Sequence, residues 1–142
     1  MGAGRARAGG AIGEIAEDAA EDAAGGAAPP PGTPVLEFGG DLTAVCEFVA
    51  AQAARHGVFG NRAALLVVAA GEVAAHLMGN GMTRYGASVL VWPQHAALVC
   101  RLHTAAEAAV PARIATRLRG QVEIAVDGPD VTLRVPVPAA PR

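Results

Sequence analysis

Glu72 and His76 are the pair in this 142-residue chain whose types and spacing could do chemistry together. They lie four positions apart in residues 61–81, NRAALLVVAAGEVAAHLMGNG, and so share one face if that stretch is helical. A carboxylate set among core-directed residues can serve as a general base, and an imidazole can accept a hydrogen bond or bind a zinc-like metal. The simpler reading of the same pair is an i, i+4 contact on a half-buried face. Gly79-Asn80-Gly81 also reads two ways, as backbone able to approach a phosphate or as a helix stop and turn. His56, His95 and His103 fall at the ends of predicted elements, where capping or solvated roles are the simpler expectation. Cys46 and Cys100 sit inside apolar patterns without metal-ligand spacing, and read as small buried hydrophobes.

The elements that must position these residues are marked by periodicity. Leu65, Val68, Ala69, Val73 and Leu77 recur at helical steps, with Asn61 as the expected N-cap and Gly79 and Gly81 as stop signals. Ahead of it, Asp41 caps a helix whose stripe is Leu42, Val45, Cys46, Val49, Ala50 and Ala53, ending at His56-Gly57. Residues 35–38 read as an edge strand. After Gly86 the period changes to two: residues 88–92 and 97–103 form a hairpin about Pro93-Gln94-His95-Ala96. Residues 110–119 offer a third helix, with Pro111 in its first turn. Residues 121–126 and 131–137 form a second hairpin about Asp127-Gly128-Pro129-Asp130. The economical fold is α+β: a two-layer α/β sandwich, helices on one face of a mostly antiparallel, mixed sheet, spanning residues 35–138.

Composition separates the rest. Ten of the 18 glycines fall in residues 1–40, and residues 1–34 form an Ala/Gly/Pro-rich tail whose acidic patch is Glu14, Glu17, Asp18, Glu21 and Asp22. Such a tail has too little apolar side chain to offset its ordering entropy. The expectation is a disordered, solvated tail; within it, residues 11–24 are alanine-rich enough to flicker as a helix with Ile12 and Ile15 on one side, and docking of that helix on a partner is the alternative. Residues 139–142 form a short C-terminal tail. The formal net charge is -2 and no basic cluster is denser than Arg113, Arg117 and Arg119, so no nucleic-acid partner is expected. All eleven basic residues are Arg, which leaves no lysine for catalysis. The longest apolar run, residues 63–70, is far short of the roughly 18 residues that signal a membrane span. With no apolar signal core at the N-terminus, the expectation is a cytoplasmic protein without membrane contact.

GEVAAHLMGNG, preceded by ALLVVAA, resembles the helix carrying the N box of the ATP-binding domain shared by gyrases, histidine kinases, heat-shock chaperones and anti-sigma-factor serine kinases. Glu72 matches the acidic position of that helix and Gly81 its closing glycine, while His76 stands where the family has asparagine. DLTAVCEFVAAQAARHGV resembles the family's first helix, SVLVWPQHAALVCRL its central hairpin and VTLRVPVP its closing strand. The likeness covers roughly two thirds of the chain and is closest to compact anti-sigma-factor kinases of high-GC bacteria. It implies a Bergerat-type ATP-binding fold, with Glu72 as base and ATP and Mg²⁺ as cofactors at Glu72, His76, Asn80 and Gly81. It further implies His103 at the adenine position, and a sigma factor or an anti-sigma-factor antagonist as partner.

Three parts of that site are altered. Imidazole at His76 replaces an amide oxygen suited to Mg²⁺. His103-Thr104-Ala105-Ala106 stands where the family has an aspartate followed by glycines, and no glycine occurs in residues 87–119 to form a lid. The resulting expectation is a degenerate member of the family that works as a regulatory protein-binding module. Two alternatives stay open: an active serine/threonine kinase with Glu72 as base, and a homodimerising α+β domain without nucleotide.

Overall fold

The computed structural model describes residues 28–105, 110–118 and 120–137. The expectations for residues 1–27, among them the acidic helix, and for the tail at 139–142 lie outside the described residues, as does Arg119 at the end of the expected third helix. Strand β1 (Val35–Glu37) is followed by α1 (Leu42–Arg55) and α2 (Gly60–Gly79), then by β2 (Ala87–Pro93) and β3 (Ala97–Thr104). A short α3 (Ala112–Leu118) precedes β4 (Glu123–Asp127) and β5 (Asp130–Pro136).

Local chemistry sets the helix ends. Asp41 Oδ1 accepts the Ala44 N–H at 3.0 Å, the expected cap of α1. The helix stops where Gly57 takes φ +78, the Gly57 N–H donates to Ala54 O at 2.9 Å and the Val58 N–H to Ala53 O at 2.8 Å. This paired arrangement is the Schellman motif, with apolar Val58 folded back onto the core. Helix α2 ends the same way: Gly81 has φ +71, its N–H donates to Met78 O at 3.1 Å, and the Met82 N–H donates to Leu77 O at 2.9 Å. Its start differs from expectation. Asn61 is not the cap but lies inside the first turn, behind an extended Phe59 that makes no side-chain cap bond. With α1 closed at Val58, the chain turns at Gly60, φ +69, so α2 begins before Asn61 is reached.

The buried stripe of α2 is Leu66, Ala69, Ala70, Val73, Ala74 and Leu77. Val68, expected within the stripe, is 58% exposed, and Leu65 is only half-buried. Helix α2 is apolar on most sides, so periodicity alone allows more than one stripe, and packing selects the one rich in small residues. Val45, Val49 and Ala53 form the buried stripe of α1, with Leu42 and Ala50 left at the exposed margin. The helices pass close enough that a Cβ added at Gly71 would meet Cys46 Sγ at 3.2 Å. By length and composition α2, at 20 residues, would suffice to cross a membrane. Its buried stripe packs instead within the protein core.

The sheet order is β1-β2-β3-β5-β4 and every neighbouring pair is antiparallel, so the expected mixed sheet is corrected to a wholly antiparallel one. Strands β2 and β3, and β4 and β5, are joined by hairpins, while α3 carries the chain from β3 to β4, a parallel strand that β5 separates from it, so no two neighbours in the sheet are parallel. Helix α1 packs on β2, α2 on β3 and β5, and α3 on α2 and β4. The strands contribute Val89, Val91, Leu98, Cys100, Leu102, Val131, Leu133 and Val135 to the core, and Ile114 of α3 joins it. The result is an α+β domain with three described helices on an open five-stranded sheet.

The β2–β3 turn is tighter than its sequence suggests. Both strands run up to a two-residue turn, His95-Ala96, closed by Gln94 N–H to Ala97 O at 2.9 Å and Ala97 N–H to Gln94 O at 3.0 Å. His95 and Ala96 take φ of 47 and 59, left-handed values usually reserved for Asn and Gly in such turns. Replacing Ala96 by Gly therefore raises unfolding free energy by about 0.5–1 kcal/mol. In the same urea titrations Leu66→Ala lowers stability by about 2–4 kcal/mol, whereas Val68→Ala stays within about 0.5 kcal/mol. Equal losses at the two positions would contradict the buried stripe described above.

Candidate functional site

Helix α2 carries two of the five expected site residues, Glu72 and His76, with Asn80 and Gly81 directly after it in the Schellman cap, and that cap determines what the four can do. Glu72 sits midway along the helix at the edge of its buried stripe, half-buried, with Oε1 shielded from solvent. His76, one turn on, is bonded forward rather than back. Asn80 Nδ2 stands 3.2 Å from His76 Nε2 and also donates to the His76 carbonyl at 2.9 Å. The Asn80 backbone N–H donates to that same carbonyl at 3.1 Å. Asn80 thus closes the last turn of α2, and its amide holds the His76 ring beside the helix end. The N–H groups of Gly81 and Met82, which a phosphate cradle would need, are both taken by carbonyls of α2. Of the two sequence readings of Gly79-Asn80-Gly81, the geometry is that of the helix stop.

His103 is not brought to this cluster. Side chains alternate along a strand, and Leu98, Cys100 and Leu102 point into the core under the helices. His103 therefore faces the opposite side of the sheet, across from Ser88 and Asp130. There its Nδ1 lies 2.7 Å from Asp130 Oδ1, with both side chains part-exposed, at 49% and 32%. The helix-facing residue at this end of β3 is Thr104, fully buried, whose N–H donates to Pro129 O at 3.0 Å. Reading the sequence missed Thr104. Strand parity was the available signal: two steps on from Cys100 and Leu102, the position shares their face.

Two grooves open elsewhere among the described residues. One, of about 490 Å³, lies between α3 and β4 and is lined by Ala115, Gln121, Val122, Glu123, Ile124 and Pro136. The other, about 270 Å³, lies at the β2–β3 turn beside the end of α1, with His56, Val58, Gln94 and His95 on its walls. Neither is lined by Glu72, His76, Asn80, Gly81 or His103. No group of three potential metal ligands occurs among the described residues.

Both cysteines are free thiols, Cys100 fully buried and Cys46 half-buried against Gly71. Burial disfavours the thiolate and pushes the Cys100 pKa from 9.0 up to about 12, so Cys100 is no nucleophile at neutral pH. The raised value fixes a sign. The contribution to stability is complete below pH 9 and is lost as pH climbs toward 12, because the unfolded thiol ionises first. Urea midpoints should therefore fall over that range more steeply in the native chain than in Cys100→Ala, and identical slopes would contradict the assignment.

No protein-family model matches the chain, and no curated protein does.

Proposed function

We propose that this chain is a regulatory protein-binding module on a Bergerat-type ATP-binding scaffold, one whose nucleotide site does not support phosphoryl transfer. The element order supports the scaffold: a helix pair, a central hairpin, a third helix and a closing hairpin, in the sequence that the resemblance implies. One observation carries the loss of chemistry. The helix-facing end of β3 presents Thr104 and no carboxylate, while His103 points to the other side of the sheet.

Phosphoryl transfer from a nucleotide needs a metal held against the phosphates and a base for the attacking hydroxyl. Magnesium takes oxygen ligands in a near-ideal octahedron. Near the end of α2 the donors are the Glu72 carboxylate, the Asn80 amide oxygen and the His76 imidazole, the last a nitrogen donor beside Asn80 Nδ2. These residues do not fit a magnesium-bound triphosphate. What remains is a surface for another protein, by resemblance a sigma factor or an anti-sigma-factor antagonist. Phe59, Val68 and Tyr85, 68%, 58% and 79% exposed, supply apolar side chains for such a contact.

A second reading keeps ATP and a serine/threonine kinase activity, and the half-buried carboxylate of Glu72 favours it, since shielding suits a general base. Calorimetry with ATP and Mg²⁺ on the native chain and on His76→Asn separates the two. The module reading expects both to bind no tighter than about 1 mM, or about -4 kcal/mol. Micromolar binding by the native chain, about -8 kcal/mol, would overturn it. Phosphate transfer to a protein substrate that Glu72→Gln abolishes would then establish the kinase.

A further inference from the structure

The side of the sheet that bears no described helix holds a tryptophan almost wholly removed from water. Strand parity and register place Leu90, Trp92, Val99, Arg101, Thr132 and Arg134 together on that face. Trp92 and Val99 are each 2% exposed and Thr132 is 5% exposed. The Arg101 guanidinium lies 5.1 Å from the centre of the Trp92 ring, and Arg101 Nε donates to Thr132 Oγ1 at 3.2 Å. The indole N–H donates to Gln94 Oε1 at 3.1 Å. One guanidinium covers part of one ring face. An aromatic of this size on the outer surface of a sheet keeps area in water unless chain lies over it.

The direction of the chain ahead of β1 identifies the cover. Val35 pairs with Leu90 in antiparallel register, so residues before Val35 run toward the end of β2 where Trp92 stands. There a turn reverses them: Thr33 N–H and Oγ1 both donate to Pro30 O, at 3.2 and 2.6 Å, and Gly32 takes φ +81. The turn reverses the direction of the chain at Pro30. From residue 24 to Pro30 it can reach ~20 Å, about the ~19 Å width of five strands. Residues 11–24, AIGEIAEDAAEDAA, have the matching chemistry. Ile12 and Ile15 suit Trp92 and Val99, and Glu14, Glu17, Asp18, Glu21 and Asp22 suit a face with Arg101 and Arg134 at its centre, Arg134 also lying 3.5 Å from Glu123 and Asp130 sitting at the rim. Residues 138–142, PAAPR, offer no large apolar side chain and add a like charge.

We propose that residues 11–24 dock across this face of the same chain, Ile12 and Ile15 over Trp92 and Val99 and the carboxylates beside the two arginines, occupying a surface that a second copy or another protein would otherwise use. Trp92 is the single tryptophan of the protein, so its fluorescence reports on the cover directly. In the full-length chain, Ile12→Asp with Ile15→Asp should shift its emission to the red and raise acrylamide quenching roughly threefold or more, with unchanged far-UV circular dichroism. Reversing charge at Glu17 and Asp18 (E17R with D18R) should raise quenching in the same direction by less. Quenching that stays at the native level in both variants would overturn the proposal. So would protection of Trp92 that disappears on diluting the native protein, because the cover would then be a second copy.

Discussion

Close approach of α1 and α2 is the constraint on which the other features depend. Gly71 brings the backbone of α2 against Cys46, and Ala69, Ala70 and Ala74 keep the buried stripe of α2 low enough for the helix to lie beside α1 on the same face of the sheet. Leu66, Val73 and Leu77 then bury completely, each worth about 1.5–3 kcal/mol relative to exposure. A bulkier residue in place of those alanines would lift the helix off β3 and β5. The sheet face beneath is correspondingly continuous in Val and Leu, because it is never exposed to water.

The same packing fixes how the helices stop. Both end in a Schellman motif whose following apolar residue, Val58 or Met82, folds back on the core. That demand takes up the glycines and Asn80 that, in the bare sequence, could equally have served a phosphate. A backbone N–H donating at about 3 Å to its own helix has no strong bond left for a ligand. Chain reversal and anion binding compete here for the same atoms, and the core decides in favour of reversal. Glu72 escapes the competition because it lies mid-helix, where no cap is required.

The two faces of the sheet divide the polar residues in a way that no motif announces. His103 and Thr104 are adjacent in sequence and opposite in space, one bonded to Asp130 on the side without a described helix, the other buried under the helix layer. Trp92 and Arg101 belong to the His103 side, and together with Thr132 and Arg134 they give that surface an aromatic and cationic centre. The domain therefore keeps its apolar packing on one side and its most specific side-chain contacts on the other. Those contacts include the Arg134 to Glu123 pair at 3.5 Å.

Periodicity by itself determined the order and type of every described element, since a change from steps of three and four to steps of two is a local property of the chain. The Asp41 cap, the glycine stops and both hairpins were legible for the same reason: each depends on residues within a turn of one another. Tertiary structure alone decided the rest. Which of several apolar sides of α2 became the buried stripe, leaving Val68 outside, depended on the shape of α1 and the sheet. Whether His103 or Thr104 faced the helices depended on a register that shifts every side chain to the other face when it moves by one residue. Residues far apart in sequence set both outcomes, and no local pattern records their positions.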